Sequence, residues 1–283
     1  MRLLVTGAGG MLGQDVVRAA AAPEGGHDVV ALDRSALDVT DQPAVLAALR
    51  GERPDVVVNC AAFTDVDGAE SAEAAASAVN AAAAGHVSEA AARVGARIVH
   101  VSTDYVFDGA AGQPYVESDE PGPLGAYGRT KLAGEREVAA RNRDHAIVRS
   151  SWLFGAGGRN FVQTMLALGA ERSEVTVVDD QVGCPTWTGH LGPALVRLAE
   201  GDATGVLHVA GGGSCSWHEL AEEVMRHAGL ECAVHRGRTA DLGRPAPRPA
   251  LSALRSARAD APVLPPWHEG LHGYLTERSG VAA

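Results

Sequence analysis

Short aliphatic runs alternate with longer stretches of helical period through the first half of the chain. Residues 2–6 read as a buried strand, and a helix follows from Gln14 to about Ala21. Asp28–Asp33 (DVVALD) reads as a second strand. The next helix is capped by Asp41, carries Pro43 in its first turn and ends near Arg50. Asp55–Asn59 is a third strand, and the Ala-rich 69–94 is one long helix or a bent pair. Arg97–Val101 (RIVHV) is a fourth strand and His145–Arg149 a fifth, with a loop at 108–123 and a helix carrying Tyr127 and Lys131 between them. Apolar strands separated by helices predict a parallel sheet with helices on both faces.

Beyond about residue 150 the alternation loosens. Asn160–Ala170, Pro193–Glu200 and Trp217–Ala228 read as helices, the last with Ser216 and Glu219 as a capping box. Glu174–Val178 and Gly205–Ala210 read as strands and Glu231–Arg236 as an edge strand. Residues 179–186 and 237–250 read as loops. The expected class is therefore α/β: a Rossmann-like doubly wound parallel sheet over 1–150 and a smaller C-terminal α/β lobe over 151–283. The boundaries interleave, and some later segments return to the first unit.

The first strand runs into Thr6-Gly7-Ala8-Gly9-Gly10-Met11-Leu12-Gly13. At a strand–turn–helix junction such glycines have defined uses. Gly7 allows the tight turn, Gly10 lets a pyrophosphate approach the helix N-terminus, and Gly13 allows close helix–strand packing. The spacing is G-x-x-G-x-x-G, and no Gly-Lys-Ser/Thr follows to make a triphosphate loop. Asp33 ends the second strand where an acid binds ribose hydroxyls, and Arg34 beside it suits a 2′-phosphate. NADH and NADPH both stay open.

Tyr127 and Lys131 are spaced to share one helix face. An ammonium beside a phenol favours the phenolate, so the spacing predicts a lowered tyrosine pKa. Of 24 Lys and Arg residues, Lys131 is the single lysine. Where every other cation is arginine, a compact point charge marks a special site.

A net charge of −11 with no basic block excludes a nucleic-acid or anionic-membrane binder. No apolar run approaches the roughly 20 residues of a membrane span. Cys60, Cys184, Cys215 and Cys232 have no C-x-x-C spacing and read as free thiols of a reducing cytoplasm. His268-Glu269-Gly270-Leu271-His272 matches the zinc-hydrolase pattern H-E-x-x-H. Pro265-Pro266 before it and Gly270 inside it favour a plain C-terminal helix, and no metal ligand is assigned. His100 and His208, inside strand patterns, read as core or hydrogen-bonded residues.

Taken together, TGAGGMLG (6–13), VVNCAAFTDVDGAE (57–70), VSTDYVFDG (101–109), YGRTKLAGE (127–135), RSSWLFG (149–155), NFVQTM (160–165), DDQVGCPT (179–186) and RPAPRPALS (244–252) resemble the dTDP-4-dehydrorhamnose reductase family of extended short-chain dehydrogenases/reductases. The resemblance implies a catalytic set of Thr103, Tyr127 and Lys131 supported by Asp104. Tyr127 would protonate a C4 keto oxygen, Thr103 would hydrogen-bond it, and Lys131 would tune Tyr127 and hold the nicotinamide ribose. Gly7, Gly10, Met11, Leu12, Gly13, Asp33, Arg34, Asp38, Val39, Ala61, Ala62 and Asn80 fall where such enzymes contact NADPH or NADH. Trp152, Asn160, Gln181 and Arg244 would meet the nucleotide-sugar, with Arg248 a second candidate for its diphosphate.

The resemblance further implies a cytoplasmic monomer or homodimer. Asp15 and Gly189-His190 stand where some members carry magnesium-binding glutamates. Ser150-Ser151-Trp152 departs from the usual Thr-Ser-Trp, and Leu254-Arg255 lacks the usual Asp or Asn. Two further readings share the framework. One is a reductase for another dTDP-4-keto-6-deoxy sugar in antibiotic glycosylation. The other is a non-catalytic subunit of the kind that partners methionine adenosyltransferase.

Overall fold

A computed structural model describes residues 1–22 and 26–279; the expected lobe's last residues, 280–283, lie outside it. In chain order the first unit comprises β1 (Arg2–Thr6), α1 (Met11–Ala21), β2 (Asp28–Leu32), α2 (Gln42–Glu52) and β3 (Val56–Asn59). Next come α3 (Val66–Ser71), α4 (Glu73–Ser77), a π-helical turn (Ala78–Ala83) and α5 (Ala84–Val94). Then follow β4 (Arg97–Thr103), α6 (Ala126–Arg141) and β5 (His145–Ser150). The remainder is β6 (Leu153–Phe154), α7 (Phe161–Glu171), β7 (Glu174–Val178), β8 (Val182–Gly183), β9 (Thr186–Trp187), α8 (Thr188–Glu200), β10 (Gly205–His208), β11 (Cys215–Ser216), α9 (Trp217–Ala228), β12 (Ala233–Gly237) and α10 (Trp267–Ser279).

The main sheet has the order β10-β5-β4-β3-β1-β2, and every pairing is parallel. Leu3, Val5, Val58, Val99 and Val148 pack on one face against Val16 of α1 and Leu191 and Leu195 of α8. Leu4, Val57, Ile98 and Ile147 pack on the other against Val45 and Leu49 of α2, Val87 of α5 and Val138 of α6. Strand alternation sends these residues to opposite faces, and both faces are covered, which makes the sheet doubly wound. Strand order reverses between β1 and β3, so a crevice opens at the carboxyl edge there. Both α8 and β10 come from beyond residue 150 yet pack on or in this sheet. A second apolar cluster joins Val162 and Met165 of α7, Leu220 and Val224 of α9, and Leu271 and Tyr274 of α10.

Some elements differ from expectation. The 69–94 stretch is not one helix or a simple pair but α3, α4, a π turn and α5. Ala72, at φ −131°, breaks the first junction. The π turn places the Asn80 amide against the loop after β3, where it bonds Phe63. The 179–186 loop contains β8 and runs into β9, and α8 begins at Thr188 with Pro193 inside it. Ser216 and Glu219 do form a capping box, and Asp41 caps α2. No helix among the described residues is long and apolar enough to cross a membrane.

Candidate active site

The end of β4 and one face of α6 meet in register. Lys131 donates from Nζ to the Val101 carbonyl at 2.7 Å. Ser102 donates from Oγ to Glu135 at 2.5 Å, and the Thr103 hydroxyl lies close enough to Tyr127 to favour its phenolate. Three consecutive strand residues thus engage three helix residues spaced one turn apart, as 3.6-residue periodicity allows. Gly128 makes the approach feasible, because any Cβ there would strike the Tyr105 carbonyl. At the start of α6, Glu70 of α3 accepts a hydrogen bond from Ala126 N at 2.7 Å.

The electrostatics correct one expectation. Tyr127 is not lowered by Lys131. Burial pushes it up to about 12, the Thr103 hydroxyl opposes the rise, and Asp104 adds to it. Lys131 spends a hydrogen bond on Val101 instead, and its own burial pushes it down to about 8 while Glu135 and Cys60 oppose. The outcome suits reduction, since a proton donor must hold its proton at neutral pH. Asp104 is pushed up to about 6 by burial, against hydrogen bonds from Ser252, Ser151 and Thr103.

A dinucleotide fits the turn after β1. Gly7 has φ +66°, and a Cβ there would sit 2.7 Å from Ala61 N, so only glycine lets the β1 and β3 loops close together. The α1 N-cap, Gly10, carries no side-chain cap, leaving first-turn N–H groups of Met11, Leu12 and Gly13 for an anion. Asp33 stands exposed at the end of β2 beside Gly9. Its Oδ1 accepts from Ser35 N, Ser35 Oγ and Ala36 N at 2.8, 2.7 and 3.0 Å, which holds its pKa below the usual range. Arg34 is exposed next to it. Asp38 turns back to Thr40 N and Oγ1 at 2.9 and 2.7 Å, and Val39 is half-buried against the core. Ala61 donates to Asn59 Oδ1 at 3.2 Å, with Ala62 following. Asn80 accepts from Phe63 N at 2.8 Å and donates to Phe63 O and Thr130 Oγ1, both at 3.1 Å, so it shapes this loop.

On the opposite side, Trp152 adopts φ +47° and stacks on Trp217. Backbone strain of that kind in a bulky residue tends to mark functional positions. Gln181 is buried, accepting from Trp217 Nε1 at 3.1 Å and donating to Thr239 at 2.8 Å. Asn160 caps α7 through Gln163 N at 2.9 Å and donates to the Gly155 and Gly158 carbonyls. The strap 244–249 is tied to α3. Asp67 receives Arg248 in two bonds of 3.0 Å, Arg244 at 3.1 Å and Ala246 N at 3.2 Å. Arg248 also hydrogen-bonds Tyr105, whose ring meets Tyr127 edge-on at 5.8 Å. A narrow cleft over Tyr127 is lined by Glu70, Tyr105, Leu124, Gly125, Pro247 and Pro249.

Sequence reasoning passed over Asp67, Glu70, Glu135 and Trp217 as parts of the site. Asp67 and Glu70 fall within the quoted 57–70 segment, three positions apart on one helix face; that spacing was the signal. The H-E-x-x-H match lies on α10, where His268 stacks on Trp267 at 3.6 Å and His272 faces His227 at 5.6 Å. Among the described residues no group of three or more metal-binding side chains converges. Asp15 instead pairs with Arg18 at 2.9 Å, and Arg18 also reaches Glu277 at 3.1 Å.

The family model for the RmlD substrate binding domain matches residues 1–279. A dTDP-4-dehydrorhamnose reductase of Mycobacterium tuberculosis is 47% identical over 262 residues, covering 90% of this chain and 85% of that protein. The crystal structure of a dTDP-4-dehydrorhamnose reductase from Clostridium acetobutylicum superposes with a TM-score of 0.95 at 39% identity, covering 99% of this chain and 100% of that one. That of Bacillus anthracis, in complex with NADP, superposes with a TM-score of 0.94 at 37% identity over 98% and 99% of the two chains. With the glycine turn, the Thr103–Tyr127–Lys131 face and end-to-end similarity in agreement, this chain belongs to the dTDP-4-dehydrorhamnose reductase family.

Proposed function

We propose that this protein reduces the C4 ketone of dTDP-4-dehydro-L-rhamnose to give dTDP-L-rhamnose, with NADPH or NADH as reductant. The observation that carries the reading is the register of Thr103 and Tyr127 at the carboxyl edge of β4, with Lys131 one turn below. When bound, the nicotinamide supplies the hydride to C4. Tyr127 gives its phenolic proton to the carbonyl oxygen, so the ketone becomes an alcohol with the charge balanced. Thr103 hydrogen-bonds the same oxygen as negative charge develops there. Lys131 stabilises the phenolate left behind and holds the nicotinamide ribose, and Asp104, which accepts from the Thr103 hydroxyl at 3.1 Å before substrate arrives, releases it to the ketone oxygen.

The first turn of α1 receives the pyrophosphate, and Asp33 and Arg34 meet the adenosine ribose. Asp38, Val39, Ala61 and Ala62 line the remaining dinucleotide path, and the buried Asn80 holds the loop after Ala62 in place through Phe63. Trp152 packs against the sugar or base, and Asn160 and Gln181 shape the nucleotide-sugar pocket. Arg248 is the better placed of the two strap arginines for the diphosphate, since it is less exposed than Arg244 and bonds Tyr105 beside the proton donor.

The test follows NADPH and NADH absorbance with enzymatically prepared dTDP-4-keto-L-rhamnose and related 4-keto-6-deoxy sugars. Loss of absorbance with stoichiometric dTDP-L-rhamnose is the expected result. Faster turnover of another keto sugar would reassign the substrate. Binding of NADPH with no oxidation by any of them would favour a regulatory subunit.

A further inference from the structure

Glu135 lies one helical turn beyond Lys131, as Lys131 lies one turn beyond Tyr127. Its Oε1 accepts from Ser102 Oγ at 2.5 Å and Arg149 Nε at 2.9 Å, and its Oε2 accepts from Arg149 Nη2 at 2.7 Å. Side-chain exposure of the pair is only 4% and 5%. A buried ion pair contributes little net stability, because desolvation offsets the attraction. Hydrophobic residues of similar volume would serve packing as well, so this one invites a second role.

That role is visible in what surrounds the ammonium. Lys131 is 2% exposed and donates to the Val101 carbonyl. The titratable groups on the elements packed about it are Tyr127 and Glu135 on α6, His100 on β4, Cys60 after β3, Asp104 and Tyr105 after β4, and Arg149 on β5, and of these Glu135, Cys60 and His100 interact with the ammonium. Burial holds the Cys60 thiol and the two phenols protonated and keeps His100 uncharged at neutral pH. Asp104 acts on Tyr127, at the far end of the face. Glu135, ion-paired with Arg149, is the carboxylate whose charge favours the Lys131 ammonium.

We propose that Glu135 is a positioning residue, the buried counter-charge that keeps Lys131 an ammonium beneath Tyr127, with Arg149 setting how much of that charge Lys131 feels. This rests on reading Lys131 as part of the catalytic set. Ser102 serves the same end by fixing the carboxylate to the strand that holds Lys131 and Thr103.

Because Lys131 is the single lysine, labelling with 13C,15N-lysine yields one side-chain signal whose titration reads this ammonium directly in the whole protein. Glu135→Gln keeps the shape and removes the charge, so the midpoint falls by about one pH unit or more. Arg149→Met leaves the carboxylate undivided, so the midpoint rises. The alkaline limb of kcat moves with each. A role in packing alone leaves both midpoints unmoved or shifts them in the same direction, and either result overturns the proposal. Should one variant fail to fold, the sign from the other decides. Wild-type turnover by Lys131→Met would remove Lys131 from catalysis while leaving the titration result intact, so the two ideas fail separately.

Discussion

Trp152 lies flat on Trp217, with ring centroids 3.5 Å apart and planes 4° from parallel. Trp217 in turn leans on Phe161 at 4.5 Å and is pinned by Gln181 through its indole N–H. The strained Trp152 backbone is therefore held by a ring that the substrate need not touch. Trp217→Ala removes the support. The expected result is a KM for nucleotide-sugar raised roughly tenfold, about 1.4 kcal/mol, with the dissociation constant for NADPH unchanged. Steady-state kinetics with calorimetry of cofactor binding checks this, and an unchanged KM would show that Trp152 keeps its place alone.

Tyr127→Phe deletes the proposed proton donor while leaving the ring. Turnover falls by roughly 10²–10⁴-fold, and NADPH still binds. In the wild type, kcat declines as pH rises through about 8, where Lys131 loses its proton, whereas Tyr127 stays protonated until about 12. A plateau extending past pH 10 would remove Lys131 from the rate-controlling step.

Asp104 carries a stability consequence with a defined sign. Its folded pKa is raised from 3.8 to about 6. The folded state therefore binds the proton more tightly than the unfolded chain. This stabilisation is complete below pH 3.8 and is lost as pH rises through about 6. The difference corresponds to about 3 kcal/mol. Asp104→Asn avoids the cost of a buried anion, so its Tm exceeds that of the wild type at pH 7.5 and the advantage vanishes near pH 4. Turnover drops in the same variant, because Thr103 loses a charged partner. Melting curves at the two pH values decide it.

Asp67 gathers Arg244, Ala246 and Arg248 onto α3. Asp67→Ala frees the strap, so the amide hydrogens of Ala246 and Arg248 exchange several-fold faster by mass spectrometry and the KM for nucleotide-sugar rises. Arg248→Ala raises KM by more than Arg244→Ala, since Arg248 is 11% exposed and Arg244 56%. Equal effects would place the diphosphate elsewhere.

The sheet, its glycine turn and the Tyr127–Lys131 face were legible because each rests on local periodicity. β1 to β5 are apolar runs bounded by helices, and a four-residue interval on α6 needs no tertiary knowledge. What stayed hidden depends on meetings between distant segments. The spacing of Tyr127 and Lys131 gave no hint that burial would raise the phenol, because the depth of the pocket is set by the strap and by Tyr105. Asp67 was passed over because Arg248, far along the chain, meets it only in the fold. The π turn at Ala78–Ala83 was invisible in an alanine run, whose uniformity carries no phase; only the clip from Asn80 to Phe63 explains it.

The sealed setting of Lys131 also makes it a clock. Amine-acylating reagents find one side-chain target in this sequence, and it is 2% exposed. Any ε-acylation must wait for the ammonium to leave the Val101 carbonyl and swing to the open side of the site, so the speed of that single modification times this motion, and a bound dinucleotide should slow it.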